Sequence, residues 1–271
     1  MIAAALVPGL LIGLALGLLG GGGSILTVPV FVYVLGFDPK PAIAMSLAVV
    51  GVTSALGTTC HWRAGNVNVR IALVFGGVAV LGALLGVRVS RLVPGTTQLI
   101  VFAAVMLAAA VFMFRGRPAC VEDRDDRVAP PVVSARRVVP GGLIVGVLTG
   151  LVGVGGGFLI VPALVLMRMS LREAVGTALL IITGTSVAGF LGYLGQVRLD
   201  WAAMALLSAG TLPGIALGGY LHQFVPQSIL RRGFAVFLVI MAAFILIENL
   251  APLPAVSRGH QSGASTTEGA P

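Results

Sequence analysis

The stretch Gly20-Gly21-Gly22-Gly23-Ser24, set between the apolar runs Ile2–Leu19 and Ile25–Leu35, decides how this chain is read. Four consecutive glycines build a poor helix and leave backbone N–H groups open to close approach. A second run, Gly153-Val154-Gly155-Gly156-Gly157, follows 133 residues later, and a proline stands beyond each run, at Pro29 and Pro162. Both runs read as breaks inside membrane segments.

The composition supports that setting. Of 271 residues 58% are hydrophobic and only 10% charged, with a mean hydropathy of +1.07. A soluble domain averages about 25% charged residues, so the chain falls outside that class. Uncharged runs such as Ile71–Val87 and Leu99–Phe114 reach or approach the length that crosses ~30 Å of hydrocarbon as a helix. The fold class is an all-α polytopic membrane protein. Met1–Leu19 lacks the cationic start of a secretory signal and is taken as retained structure.

The net charge of +8 comes from sixteen arginines and one lysine, Lys40. They are scattered at segment ends, where they read as cytoplasmic anchors and not as a nucleic-acid face. Cys60 and Cys120 stand in unrelated contexts and suggest no disulfide framework.

Further segments are expected at about Pro41–Cys60, Val69–Val87 and Thr96–Phe114. Residues 115–137 then bring six arginines, four acidic residues and three prolines, a solvated linker. The tail from Ala251 to Pro271, rich in Pro, Ser, Gly and Thr, reads as disordered.

After the linker the pattern repeats. Val28-Pro29 returns as Val161-Pro162 at an offset of 133, and Thr53-Ser54 returns as Thr185-Ser186 at 132. The pair Gly82 and Gly86 returns as Gly214 and Gly218, also at 132, and Gly65-Asn66-Val67 as Gly195-Gln196-Val197 at 130. The chain therefore divides into a first membrane repeat (1–114), a linker (115–137), a second membrane repeat (138–250) and a tail (251–271).

Arginine placement separates parallel from inverted halves. If each half is a glycine-tipped helical hairpin followed by three transmembrane helices, the halves are inverted and the basic residues split 12 to 5 between the two sides. If the hairpin is instead a single crossing, the split is 10 to 7. The positive-inside rule favours inverted repeats, with the linker cytoplasmic and both termini outside. The hairpin offers 34 residues where two full crossings want about 40, so its tip is expected to stop inside the membrane. Inversion then brings the two tips in from opposite sides, as in secondary transporters with a midplane site.

Helix starts with freed N–H groups carry partial positive charge and suit an anion. Gly21, Gly22, Gly23 and Ser24, with Gly155, Gly156 and Gly157, are the candidate contacts. Close helix packing through small residues is the alternative reading. Neither run has the lysine of a phosphate loop or the acid of a dinucleotide fold. Thr53, Ser54, Thr185 and Ser186 are candidate lining residues, because hydroxyls donate to oxyanions without adding charge. The alternative is that they bond their own helix backbone. His61, Tyr193 and Gln196, near the ends of the two equivalent segments, are candidate gates. No cofactor and no metal site are expected.

Apart from Glu248 no hydrophobic segment carries a carboxylate, which argues against a cation or sodium transporter. An anion leaving a cell with a negative interior is driven outward by about 2.3 kcal/mol per charge per 100 mV and needs no coupling acid.

The doubled motif Gly-Leu-(Leu/Val)-Gly-x-Gly-Gly-(Ser/Gly)-(Ile/Phe)-Leu-x-Val-Pro, at residues 17–29 and 150–162, resembles the sulfite exporter TauE/SafE family of membrane permeases. The resemblance covers roughly residues 5–250, with Val154 standing where the first motif has Gly21. It implies an inner-membrane permease of two related halves and substrates among sulfite, sulfonates and related organosulfur anions. The expectation is a multi-pass inner-membrane permease, not an enzyme, that exports a small sulfur-containing anion by alternating access. A passive anion channel and an uptake permease are the alternatives. Its partners are that small anion and the lipid bilayer, with no nucleic acid. The oligomeric state is open, a homodimer among the options.

Overall fold

The computed structural model describes residues 2–115, 135–153, 155–167, 169–221 and 227–250. Most of the expected linker and the whole tail lie outside the described residues. Every described element is helical. Among them, four helices are long and apolar enough to cross a membrane: Pro39–Arg63, Val69–Leu92, Glu173–Tyr193 and Trp201–Gly218.

The first half begins with α1 (Ile2–Leu19). Gly20–Leu26 then winds as a 3-10 helix, Thr27–Pro29 makes one α turn (α2), and Val30–Val34 widens into a π turn. The change of pitch surrounds Pro29, which has no N–H to give and whose ring crowds the preceding turn. The expected second segment, Ile25–Leu35, is thus helical with changes of pitch along it. The chain reverses at the glycines: Gly23 lies against the backbone of Ala15 and Leu16, seven residues back, which a straight helix would hold about 10 Å away. α3 (Pro39–Arg63), α4 (Val69–Leu92) and α5 (Gly95–Arg115) complete this half.

The second half contains α6 (Ala135–Val152), the short α7 (Gly157–Leu166), α8 (Leu171–Tyr193), α9 (Trp201–Leu221) and α10 (Gln227–Leu250). Arg115 and Ala135–Arg137, which the sequence assigns to the linker, lie within α5 and α6.

At the centre α3 packs against α8. Gly51 faces Ser186, Gly57 faces Leu179 and Gly189 faces Leu47, so the two helices run antiparallel and cross near their middles. α4 runs parallel to α8, with Gly76 against Ile181, Gly184 against Val80 and Gly192 against Val87.

Two seams of small residues join the halves. Gly9, Gly13, Gly210, Gly214 and Gly218 let α1 and α9 touch backbone to backbone, in parallel. Gly82, Gly86, Gly142, Gly146 and Gly150 do the same for α4 and α6. A methyl group added at Gly82 would stand 2.6 Å from the Leu143 carbonyl oxygen, and one at Gly210 would stand 2.7 Å from that of Leu6. Close approach of this kind is how helices gain packing energy where lipid removes the hydrophobic drive between them. α5 and α10 pack on each other at the flank. Leu73, Leu81, Ile240 and Ile247 lie on outward faces and are more than half exposed, as suits a surface in contact with acyl chains.

Candidate functional site

The two glycine runs do not share one conformation. Gly20–Gly23 opens the 3-10 turn in which the chain reverses after α1, with Gly22, Gly23 and Ser24 buried and Gly21 in the same turn. This tip packs against α7 and α8. In the second run the helix stops. Gly153, Gly155 and Gly156 have φ of 80°, 69° and 71°, the left-handed region that side chains resist. Gly156 caps α7, its carbonyl accepting from the N–H groups of Leu159 and Ile160, both at 3.0 Å, and no side chain takes the cap. Gly157, buried, opens α7. Val154 lies outside the described residues.

Gly155 sits where α3 and α8 meet. A methyl group there would come within 2.6 Å of Val50 Cγ1, 3.1 Å of Ile182 Cγ2 and 3.2 Å of Ser186 Oγ. One added at Gly156 would strike Thr149 Oγ1. Across the halves, the Ser46 hydroxyl donates to the Gly153 carbonyl at 2.6 Å and fixes the broken end of α6 to α3.

The repeated hydroxyl pairs divide by residue type. Thr53 Oγ1 lies 2.6 Å from the Val49 carbonyl and 3.1 Å from that of Val50. Thr185 Oγ1 makes the equivalent approaches to Ile181 and Ile182, both 3.1 Å. Both threonines are thus satisfied by their own helices. Ser54 and Ser186 are fully buried, and neither hydroxyl has a hydrogen-bond partner. Thr149 Oγ1, buried beside Gly156, is in the same condition. An unpaired buried hydroxyl costs about 1–3 kcal/mol, and here three stand around the crossing of α3 and α8 and the start of α7.

Thr149 was missed at the sequence level because Leu16 holds the equivalent place in the first half. The signal was there in another form: it is the one hydroxyl between Val138 and Met167.

Among the candidate gates, Tyr193 is 1% exposed and donates to the Gly150 carbonyl at 3.0 Å. That carbonyl belongs to the last turn of α6, where the helix leaves acceptors unpaired. Gln196 accepts from Arg91 Nε at 2.9 Å and donates to the Gly192 carbonyl. His61, half-buried, occupies the first-half place that corresponds to Tyr193 and packs against Gly176 of α8. The three stand at the ends of α3 and α8, not at their crossing. Cys60, next to His61 on α3, is a free, exposed thiol. A separate link between halves was not anticipated: Asn68 Nδ2 donates to Glu173 Oε1 at 3.0 Å, while its backbone N–H donates to Thr177 Oγ1 at 2.9 Å. Among the described residues no group of three or more His, Cys, Asp or Glu could hold a metal ion.

A model of the sulfite exporter TauE/SafE family matches residues 5–245. The chain belongs to this family. A probable membrane transporter protein of Xylella fastidiosa is 33% identical over 90% of this chain and 95% of its own length. The probable membrane transporter protein YdhB of Bacillus subtilis is 26% identical, over 88% of this chain and 96% of its own length. No solved structure matches. As a member of the TauE/SafE family the chain is a membrane transporter and not an enzyme, with a small-molecule substrate.

Proposed function

We propose that this transporter is an inner-membrane permease exporting a small sulfur-containing anion, sulfite or an organosulfonate, by alternating access at its two glycine breaks. The observation that carries the reading is the pair Ser54 and Ser186. They are repeat-related, fully buried, without partners, and within a turn of the point where α3 and α8 cross. A helix of 25 residues spans about 37 Å, so that crossing lies near mid-membrane. N–H groups at Gly155–Gly157 and in the turn Gly21–Ser24 supply further donors, with Thr53 and Thr185 shaping the wall. The substrate class is drawn from the family's description as sulfite exporters.

The halves are read as inverted repeats, 1–114 and 138–250, each a glycine-tipped hairpin plus three transmembrane helices. Supporting this, α3 and α8 hold the same place in the two halves and run antiparallel. The seams agree, since α1 pairs with α9 just as α6 pairs with α4. The linker is assigned to the cytoplasm and both termini to the outside. In support, the register of α4 on α6 and α8 brings Arg70, Arg136, Arg137 and Arg172 to one end of the bundle, the expected cytoplasmic enrichment.

The test replaces Gly22 and Gly155, separately, with valine and follows sulfite flux in membrane vesicles together with the amount of protein in the membrane. Loss of flux at normal abundance supports the reading. Unchanged flux in both variants overturns it.

A further inference from the structure

The elements around the crossing of α3 and α8 contain no charge. Residues 2–37, 41–62, 138–167 and 174–197 hold no Asp, Glu, Lys or Arg. Ionisable side chains on the two helices stand at their ends: Lys40, Cys60, His61 and Arg63 on α3, Glu173 and Tyr193 on α8, with Arg172 beside Glu173 in the sequence. On α4 the same holds for Arg70, Arg88 and Arg91, while Asp200 precedes α9 and Tyr220 ends it. Tyr33 lies in the π turn and Arg168 beyond α7. Along the two helices the nearest are Cys60, six residues from Ser54, and Tyr193, seven from Ser186, about 9 and 10 Å away, with His61 one residue beyond Cys60.

What faces the crossing is a set of neutral donors. Ser54, Ser186 and Thr149 offer unpartnered, fully buried hydroxyls, and α7 offers its first N–H groups and the positive end of its dipole, at most about half a charge.

We infer that the site takes its oxyanion in the singly charged form, as hydrogensulfite or a sulfonate, and rejects the dianions of sulfite and sulfate. This rests on the permease reading above. The cost of taking an ion out of water rises with the square of its charge, so a dianion costs about four times as much as a monoanion. Neutral donors and part of a helix dipole can offset one charge, and among the described residues the elements around the crossing carry no cation to offset a second. A serine hydroxyl is also an acceptor, so the acidic O–H of hydrogensulfite finds a partner where a bare dianion offers only further acceptors.

The second ionisation of sulfite lies near neutrality, so the transported species thins out about tenfold per pH unit above it. The experiment places the purified protein in liposomes and measures sulfite and sulfate flux from about pH 6 to about pH 9, with the net charge moved per sulfur read at the alkaline end. Sulfite flux at constant total sulfite is expected to fall about tenfold per unit above neutrality, with one charge moved per sulfur and no sulfate flux above protein-free liposomes. The fall is expected to persist in His61→Gln, whatever that variant's absolute rate. Flux that is flat or rises with pH, two charges per sulfur, sulfate carried as fast as sulfite, or a fall that disappears in His61→Gln overturns the inference. Folded protein that moves no sulfur anion at any pH overturns the permease reading itself.

Discussion

The Tyr193 hydroxyl donates to the Gly150 carbonyl at 3.0 Å, so the last turn of α6 is closed from the far end of α8. The bond stands one turn before the left-handed glycines, and it holds the helix whose end they form. Replacing Tyr193 with phenylalanine keeps the ring in its buried place and leaves that carbonyl unpaired. A loss of about 1–2 kcal/mol in stability is expected, measured by unfolding in detergent.

The division between threonines and serines gives a sharper test. Ser54→Ala and Ser186→Ala each remove a buried hydroxyl that has no partner in the protein, so the fold should be at least as stable as the parent, by up to about 1–3 kcal/mol of relieved desolvation cost. If the hydroxyls serve the anion, each variant loses about 10- to 100-fold in flux, the worth of one hydrogen bond to a charged group. Thr53→Val and Thr185→Val, by contrast, should keep flux within about twofold, because those hydroxyls already bond their own helices.

Glycines in the seams differ from glycines on the rim. Gly82→Ala drives a methyl group to 2.6 Å from the Leu143 carbonyl and is expected to destabilise by about 1–3 kcal/mol. Gly77, on the open side of the same helix, meets nothing within 4 Å, and Gly77→Ala should change stability by less than about 1 kcal/mol. Thermal melts of the two variants side by side decide it.

Asn68 caps α4 through Ile71 N–H at 3.2 Å and reaches Glu173 at 3.0 Å. Asn68→Ala should cost about 1–2 kcal/mol. Most of that should also appear in Glu173→Gln only if the carboxylate is indispensable to the bond, a point the double variant reads by its departure from additivity.

The helical character of the chain was legible in the sequence, and α1 begins and ends where the apolar run does. Gly82 and Gly86 with Gly214 and Gly218 were visible as a repeated pair, and the seams are their physical reason. The conformation of the tips was not legible. Glycine admits both the winding of Gly20–Gly23 and the left-handed turns of Gly155–Gly156, and the choice is made by neighbours far along the chain. Val50 and Ser186 crowd Gly155, while the backbone of Ala15 and Leu16 crowds Gly23. The partner of Tyr193 was not legible for the same reason: it lies 43 residues away on another helix.

The parallel seams make each half's first helix the neighbour of the other half's fourth segment. During synthesis α1 and α4 therefore enter the bilayer with their glycine faces unfilled, and they stay so until α9 and α6 emerge behind them. Neither half fills these faces with helices of its own. The molecule is laced together late, and a stop or deletion after α5 leaves two open grooves where the finished protein has two of its tightest joints.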